Sequence, residues 1–147
     1  MRKELINTIL VCCIVTGSLS AQKSTVSKPI YDDPVYHGAA DPVIIYNKQV
    51  KKWWMFYTNR RTNLDDTSGV TWVHGTRIGI AESLDGIRRK YKDTANINFR
   101  SDKDYTFWAP DVIEQDETYH MYLTYVPGIF NNWNHPRSIV HLKLTDN

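Results

Sequence analysis

Residues 40–44 and 54–58 read ADPVI and WMFYT, two short apolar segments joined by a polar stretch. Residues 109–113 and 120–124 read APDVI and HMYLT and repeat that arrangement. In this alignment the first segments lie 69 residues apart and the second segments 66. Because self-similarity at a near-constant period is typical of repeat architectures, the sequence predicts two copies of one structural unit.

A third pair of segments extends the repeat. Arg77–Ala81 can be laid over Arg137–His141, and Ser83–Asp85 over Leu144–Asp146 with an offset of 61 residues. In both copies a long polar excursion separates the second segment from the third. This order of strand, hairpin, strand, excursion and strand is typical of a propeller blade. Chance similarity within a β-rich chain is the alternative.

The remaining pattern also favours strands over helices. Six short segments are rich in β-branched and aromatic residues and are bounded by Asn, Asp, Gly or Lys clusters: residues 42–46, 53–58, 76–81, 111–113, 119–125 and 138–144. An all-β protein is therefore predicted. Since propellers need roughly 4 to 8 blades to close, the 147 residues predict about two blades of an incomplete propeller.

The N-terminus has the order of a secretory signal peptide. Arg2 and Lys3 precede an apolar run from Leu5 to Val15, and small residues follow it. We expect a signal peptide over residues 1–21 and a flexible leader over residues 22–30, with the propeller-like domain over residues 31–147. Export to the periplasm, the cell surface or the medium is the expected consequence, and an uncleaved anchor is the alternative.

Composition excludes several classes of function. Both cysteines, Cys12 and Cys13, lie in the apolar run, so the mature chain has no thiol for a disulfide, a zinc cluster or a nucleophile. Lipid attachment at Cys13 is a further alternative. The formal net charge of +2 gives no electrostatic footprint for nucleic acid. The five His residues lack metal-ligand spacing, and we expect no metal, no cofactor and no protein partner.

Three motifs resemble glycoside hydrolase family 43 and its five-bladed relatives. Gly38–Ile44 resembles the opening of the first blade, where an Asp followed by Pro begins the innermost strand. Gly79–Gly86 is similar to the ending of that blade, and Phe107–Val112 with Tyr119–Leu123 resembles the opening of the second blade. The resemblance covers most of residues 38–125. It implies a five-bladed propeller and an inverting glycoside hydrolase that acts on a polysaccharide or oligosaccharide.

The resemblance also assigns catalytic roles. In the family, one carboxylate acts as the base toward water and a protonated carboxyl group acts as the acid toward the leaving oxygen. The position that matches the base is Asp41. The acid and the Asp that tunes its pKa belong to later blades, so this chain is expected to be inactive alone. A channel calcium ion in a longer form stays open, and capping of a strand entry is the alternative role for Asp41.

Four further residues are candidates for substrate binding. Trp108 can stack on a sugar ring or pack between blades. Asp111 can line a subsite or cap a strand entry. His74 and His135 lie in matching excursions of the two copies, where they can bind sugar hydroxyls or satisfy the loop backbone. The five Trp and nine Tyr residues suit sugar rings, although strands favour aromatic residues in any case.

Two other readings of the whole chain remain. The first is a non-catalytic carbohydrate-binding protein, and the second is an inactive fragment whose exposed strand edges favour aggregation. The sugar, the linkage, internal or terminal cutting and the oligomeric state are open at this stage.

Overall fold

A computed structural model describes residues 30–59, 65–66, 68–99 and 104–144. The predicted signal peptide and all but the last residue of the predicted leader lie outside these ranges. The described chain is all-β, as predicted, and its strands form two antiparallel sheets. No helix in these ranges is long and apolar enough to cross a membrane.

The strands of each sheet are neighbours in chain order. The first sheet contains four strands, β1 (Ala39–Asn47), β2 (Lys52–Asn59), β3 (Ile78–Ser83) and β4 (Lys90–Thr94). The second sheet contains three, β5 (Thr106–Gln115), β6 (Thr118–Val126) and β7 (Ser138–Leu144). The excursion between β2 and β3 includes a short 3₁₀ turn at Thr71–Val73. Each sheet thus begins with a tight hairpin and continues through a longer connection.

The two sheets repeat one register, with a correction to the predicted alignment. Val43 of β1 pairs with Phe56, and Asp111 of β5 pairs with Tyr122. The second strands are therefore offset by 66 residues, which confirms the prediction, but the first strands are offset by 68. The predicted first-strand offset of 69 is wrong by one residue.

Prolines explain why the first-strand alignment slipped. A bulge interrupts β1 between Ala40 and Val43, and another interrupts β5 between Trp108 and Asp111. Pro42 and Pro110 lie in these two bulges, where a residue without an N–H group leaves no ladder hydrogen bond unmade. The structure therefore aligns proline with proline, whereas the sequence alignment had favoured the shared Ala and Val-Ile pattern.

The third strands need a similar correction. Thr58 pairs with Ile78 and Thr124 pairs with Ile139, so Ile78 and Ile139 are equivalent with an offset of 61. The alignment of Arg77–Ala81 with Arg137–His141 implied one residue less and is wrong.

The main core lies between the two sheets. Successive residues of a strand point to opposite faces, so one face of each sheet supplies the core. Buried residues from both sheets form this cluster: Phe56, Ile78, Phe107, Val112, Met121, Leu123 and Tyr125. Strand β5 lies alongside β1 and β2, and this contact brings the two bulges to one end of the molecule.

The other face of the first sheet is covered by the segment that precedes β1. Tyr57 is fully buried there, and its hydroxyl donates to Asp33 Oδ2 at 2.6 Å. Tyr31 donates to the Tyr57 hydroxyl at 2.9 Å, since the single hydroxyl hydrogen of Tyr57 is used by the carboxylate. Burial, followed by the hydrogen bond to Asp33, raises the pKa of Tyr57 far above its ordinary value. Tyr57 therefore stays protonated and ties the segment to the sheet.

Candidate functional site

A cavity of about 290 Å³ opens at the end of the molecule where the two bulges meet. Both sheets and both excursions contribute to it. Its lining residues are Ala40, Asp41, Thr58, Asn59, Val73, Trp108, Ala109, Thr124 and Trp133. Two of the five predicted site residues, Asp41 and Trp108, therefore line one cavity although 67 positions separate them in the sequence.

Asp41 is the cavity residue with a carboxylate. It lies in the bulge of β1 with φ of 48°, in the left-handed region, and it is exposed. Asp enters this region more easily than most residues because its short polar side chain can bond locally. A bulge re-aims a side chain out of the normal alternation of a strand. The backbone thus holds the Asp41 carboxylate toward the cavity and solvent.

Two indole rings form the apolar part of the lining. Trp108 is half-buried, and its Nε1 donates to the Val73 carbonyl oxygen at 2.8 Å. The centroid of Trp108 lies 6.2 Å from that of Trp133, which is 54 % exposed. Sequence reasoning missed Trp133, although it stands two residues before His135 in the excursion already singled out.

Asn59 and Thr58 supply the polar part, and sequence reasoning missed both. The Asn59 side chain is buried and its Nδ2 donates to Asp33 Oδ2 at 3.3 Å. Because the carboxylate accepts, the amide orientation is fixed, and Asn59 Oδ1 is left without a hydrogen-bond partner among the described residues. Thr58 Oγ1 accepts from the Ala109 N–H at 2.8 Å, so its hydroxyl hydrogen is available to another acceptor.

His74 and His135 lie behind the aromatic lining instead of on it. His74 is fully buried and His135 nearly so, and their Nε2 atoms are 3.1 Å apart. Neither ring lines the cavity. Burial lowers the pKa of His74 below its ordinary value, with smaller contributions from His135 and Arg137 against an opposing hydrogen bond to Val70. The structure brings the two predicted residues together and places them as supports for Trp108.

Asp111 lies apart from the cavity. Its neighbour Val112 points into the core between the sheets, so Asp111 points to the opposite face of the second sheet, where it is exposed. It pairs across the sheet with Tyr122. The residue equivalent to Asp41 in the second sheet is Ala109, not an acid.

The lining combines acceptors, a donor and flat apolar surfaces. Asp41 and Asn59 offer oxygens that accept hydrogen bonds, Thr58 offers a donor, and the two indoles offer faces on which a ring can stack. Within the described ranges, no group of three or more His, Cys, Asp or Glu residues is placed to hold a metal ion. No family model and no curated protein matches the sequence.

Proposed function

We propose that the cavity binds a sugar and that the chain carries the first part of an inverting, family 43-like glycoside hydrolase, with Asp41 as the base. The observation that carries the proposal is the placement of the Asp41 carboxylate in one cavity with Trp108 and Trp133. A sugar ring has an apolar face that stacks on indole and hydroxyl groups that both donate and accept hydrogen bonds. This cavity offers a partner for each of these features.

The role of Asp41 follows from its exposure and its fixed backbone. A general base must lie within hydrogen-bond reach of the water that it deprotonates, and the bulge presents Asp41 to the solvent side of the cavity. In inverting glycosidases the acid and base carboxyls stand about 6.5–9.5 Å apart, with room for that water. Among the described lining residues Asp41 is the sole carboxylate. We therefore expect sugar binding by this chain without turnover of ordinary glycosides.

We further propose that the two sheets are consecutive blades of a five-bladed propeller. Ile78 is fully buried between the sheets, whereas its equivalent Ile139 is 68 % exposed. Phe56 and its equivalent Tyr122 show the same contrast, at 3 % and 38 % exposed. The outer face of the second sheet thus repeats the face by which the first sheet packs on the second, as expected where another blade would follow.

A non-catalytic carbohydrate-binding protein is the second candidate function. The same cavity supports it, and the absence of a second carboxylate from the described lining favours it for this chain in isolation. The two functions differ in whether Asp41 acts on water, so an activated substrate separates them.

The experiment that tests binding is isothermal titration calorimetry of the full chain against a panel of neutral pentose and hexose oligosaccharides. We expect Trp108→Ala to weaken affinity about tenfold, since aromatic stacking is worth about 1 kcal/mol. Trp72→Ala is the matched control, because Trp72 is exposed in the 3₁₀ turn and lies outside the cavity lining. No binding of any sugar, or equal losses in both variants, would overturn the proposal.

A further inference from the structure

The hydrogen bonds around His74 define its tautomer. His74 follows the 3₁₀ turn, and its Nδ1 lies 3.0 Å from the Val70 carbonyl oxygen. A carbonyl oxygen only accepts hydrogen bonds, so Nδ1 carries the hydrogen. In the neutral ring Nε2 is then bare and must accept.

The partner ring must match that tautomer. His135 Nε2 lies 3.1 Å from His74 Nε2, so it has to carry the hydrogen that His74 accepts. His135 Nδ1 lies 3.3 Å from the Pro136 carbonyl oxygen, which gives it an acceptor if His135 becomes a cation. If His74 also took a proton, two N–H groups would face each other. The pair therefore tolerates one positive charge, on His135, and excludes a second.

The pair also joins the two excursions that carry the cavity lining. His74 lies in the excursion of the first sheet, and its ring centroid is 5.1 Å from that of Trp108 and 6.3 Å from that of Trp133. His135 lies in the excursion of the second sheet, with its centroid 5.9 Å from that of Trp108. A backbone hydrogen bond from the Val70 N–H to the Asn131 oxygen, at 3.1 Å, links the same two excursions.

We propose that His74 and His135 are a positioning pair, which holds Trp108 and Trp133 in the binding arrangement as long as His74 is neutral. Protonation of His74 turns its Nε2 from an acceptor into a donor and separates the two rings. Since both indoles pack against His74, they move with it and the cavity loses its stacking surface. The consequence for a sugar rests on the proposed function, whereas the coupling between the rings and the indoles does not.

The surroundings of His74 favour the neutral form. Among the described residues, the titratable or charged groups that act on it are His135 and Arg137, both from the excursion between β6 and β7, and both disfavour a second positive charge. The other rings against it, Trp108, Phe130 and Trp133, carry no charge. Because the pKa of His74 in the folded chain lies below its ordinary value of 6.5, its neutral form contributes stability above that pH. The contribution is lost as the pH falls below 6.5 and through the lowered pKa.

The test is ¹⁵N–¹H NMR of the histidine rings and the indole N–H groups in the full chain. At pH 7.5 we expect His74 as the Nδ1–H tautomer and His135 with hydrogen on Nε2. On acidification below 6.5 the Trp108 and Trp133 indole signals should shift together with protonation of His74. A His74 ring with its hydrogen on Nε2 at pH 7.5, or indole signals that ignore its titration, would overturn the proposal.

Three variants distinguish positioning from simple support. His74→Asn keeps a donor for Val70 but cannot reach His135, so the indole signals should differ from wild type at pH 7.5 and lose their response to acid. His135→Gln offers an amide N–H to His74 without taking a proton, and it should restore the wild-type indole signals at pH 7.5. His37→Asn, at an exposed residue with φ of 54°, is the control and should titrate like wild type.

The outcomes separate this inference from the proposed function. Coupled titration of His74 and the indoles without binding of any sugar would support the positioning pair and reject the sugar site. Unchanged acid response of the indoles in His74→Asn would reject the pair, whether or not a sugar binds. If His74→Asn does not fold, the wild-type tautomers and titration still decide the question.

Discussion

Asp41 and Ala109 occupy the same place in the two sheets. Each lies in the bulge of the first strand before a proline, and each has φ of 48°. The repeat thus builds two bulges of one geometry and fills them differently. Asp tolerates the left-handed region better than Ala does, and the bulge with the carboxylate is the one that gives the cavity its charge.

Ala109→Gly should stabilise the chain. An Ala side chain in the left-handed region is strained by about 1–2 kcal/mol, which exceeds the entropic cost of Gly, about 0.5–1 kcal/mol. We expect a net gain of about 1 kcal/mol, with the hydrogen bond from the Ala109 N–H to Thr58 Oγ1 retained by the glycine backbone. Urea denaturation measures it, and a lower midpoint than wild type would contradict the strain.

Asp41→Asn should abolish action on glycosyl fluorides. Fluoride leaves without a proton, so a base alone can support its displacement by water. General-base assistance contributes about 10²–10⁴-fold, and we expect a loss of that size in initial rates of fluoride release from pentosyl and hexosyl fluorides. Equal release by wild type and Asp41→Asn would favour the non-catalytic binding protein.

Asp116→Asn is the matched control for that experiment. Asp116 is exposed, lies in the turn between β5 and β6 and has φ of 51°, so the same change of charge is made on a similar backbone away from the cavity. It should release fluoride at the wild-type rate. Asn also tolerates the left-handed region, so neither variant is expected to unfold.

Gly69→Ala should damage the contact between the two excursions. Gly69 has φ of 55°, and an added Cβ atom would stand 2.0 Å from the Asn131 carbonyl oxygen. That oxygen accepts from Val70, so the clash acts on the hydrogen bond that joins the excursions. We expect a loss of about 3 kcal/mol from overpacking and left-handed strain together, measured by urea denaturation.

Gly86→Ala is the control for the clash. Gly86 also has positive φ, at 76°, but its added Cβ atom would meet Trp53 Nε1 at 3.3 Å. It should lose about 1 kcal/mol from left-handed strain. Equal losses at the two positions would show that the contact with Asn131 is not tight.

Ile139→Glu should reduce self-association of the chain. Ile139, Ile113 and Tyr122 leave an exposed apolar area on the outer face of the second sheet, and such areas mark association surfaces. Sedimentation velocity should show concentration-dependent association in wild type and more monomer in Ile139→Glu. Ile30→Glu, at an exposed residue outside both sheets, is the control, and a wild type that stays monomeric at all concentrations would contradict the prediction.

Strand patterns were read correctly from the sequence where apolar side chains alternate. Strand β4 was missed, because Lys90–Thr94 is a polar segment at the edge of the first sheet and edge strands are commonly charged. The register slipped by one residue at the bulges, since periodicity does not show where a strand gains an unpaired residue.

The candidate site was predicted in part. Asp41 and Trp108 line the cavity, whereas Asp111 points to the other face of its sheet because the bulge shifts the alternation by one residue. Asn59 and Thr58 were missed, since a polar residue at the end of an apolar strand carries no sign of its partners. Only the folded chain shows that Asp33 fixes the orientation of Asn59.

The measurement that tests the central claim most directly is a ¹⁵N–¹H NMR titration of the full chain with the sugar panel. A sugar that binds the cavity should give saturable shifts at the backbone amides of Asp41, Asn59 and Ala109 and at the Trp108 and Trp133 indoles. Asp41→Asn should weaken these shifts, and Asp116→Asn should not. No saturable shift with any sugar, or shifts confined to residues outside the cavity, would contradict the account.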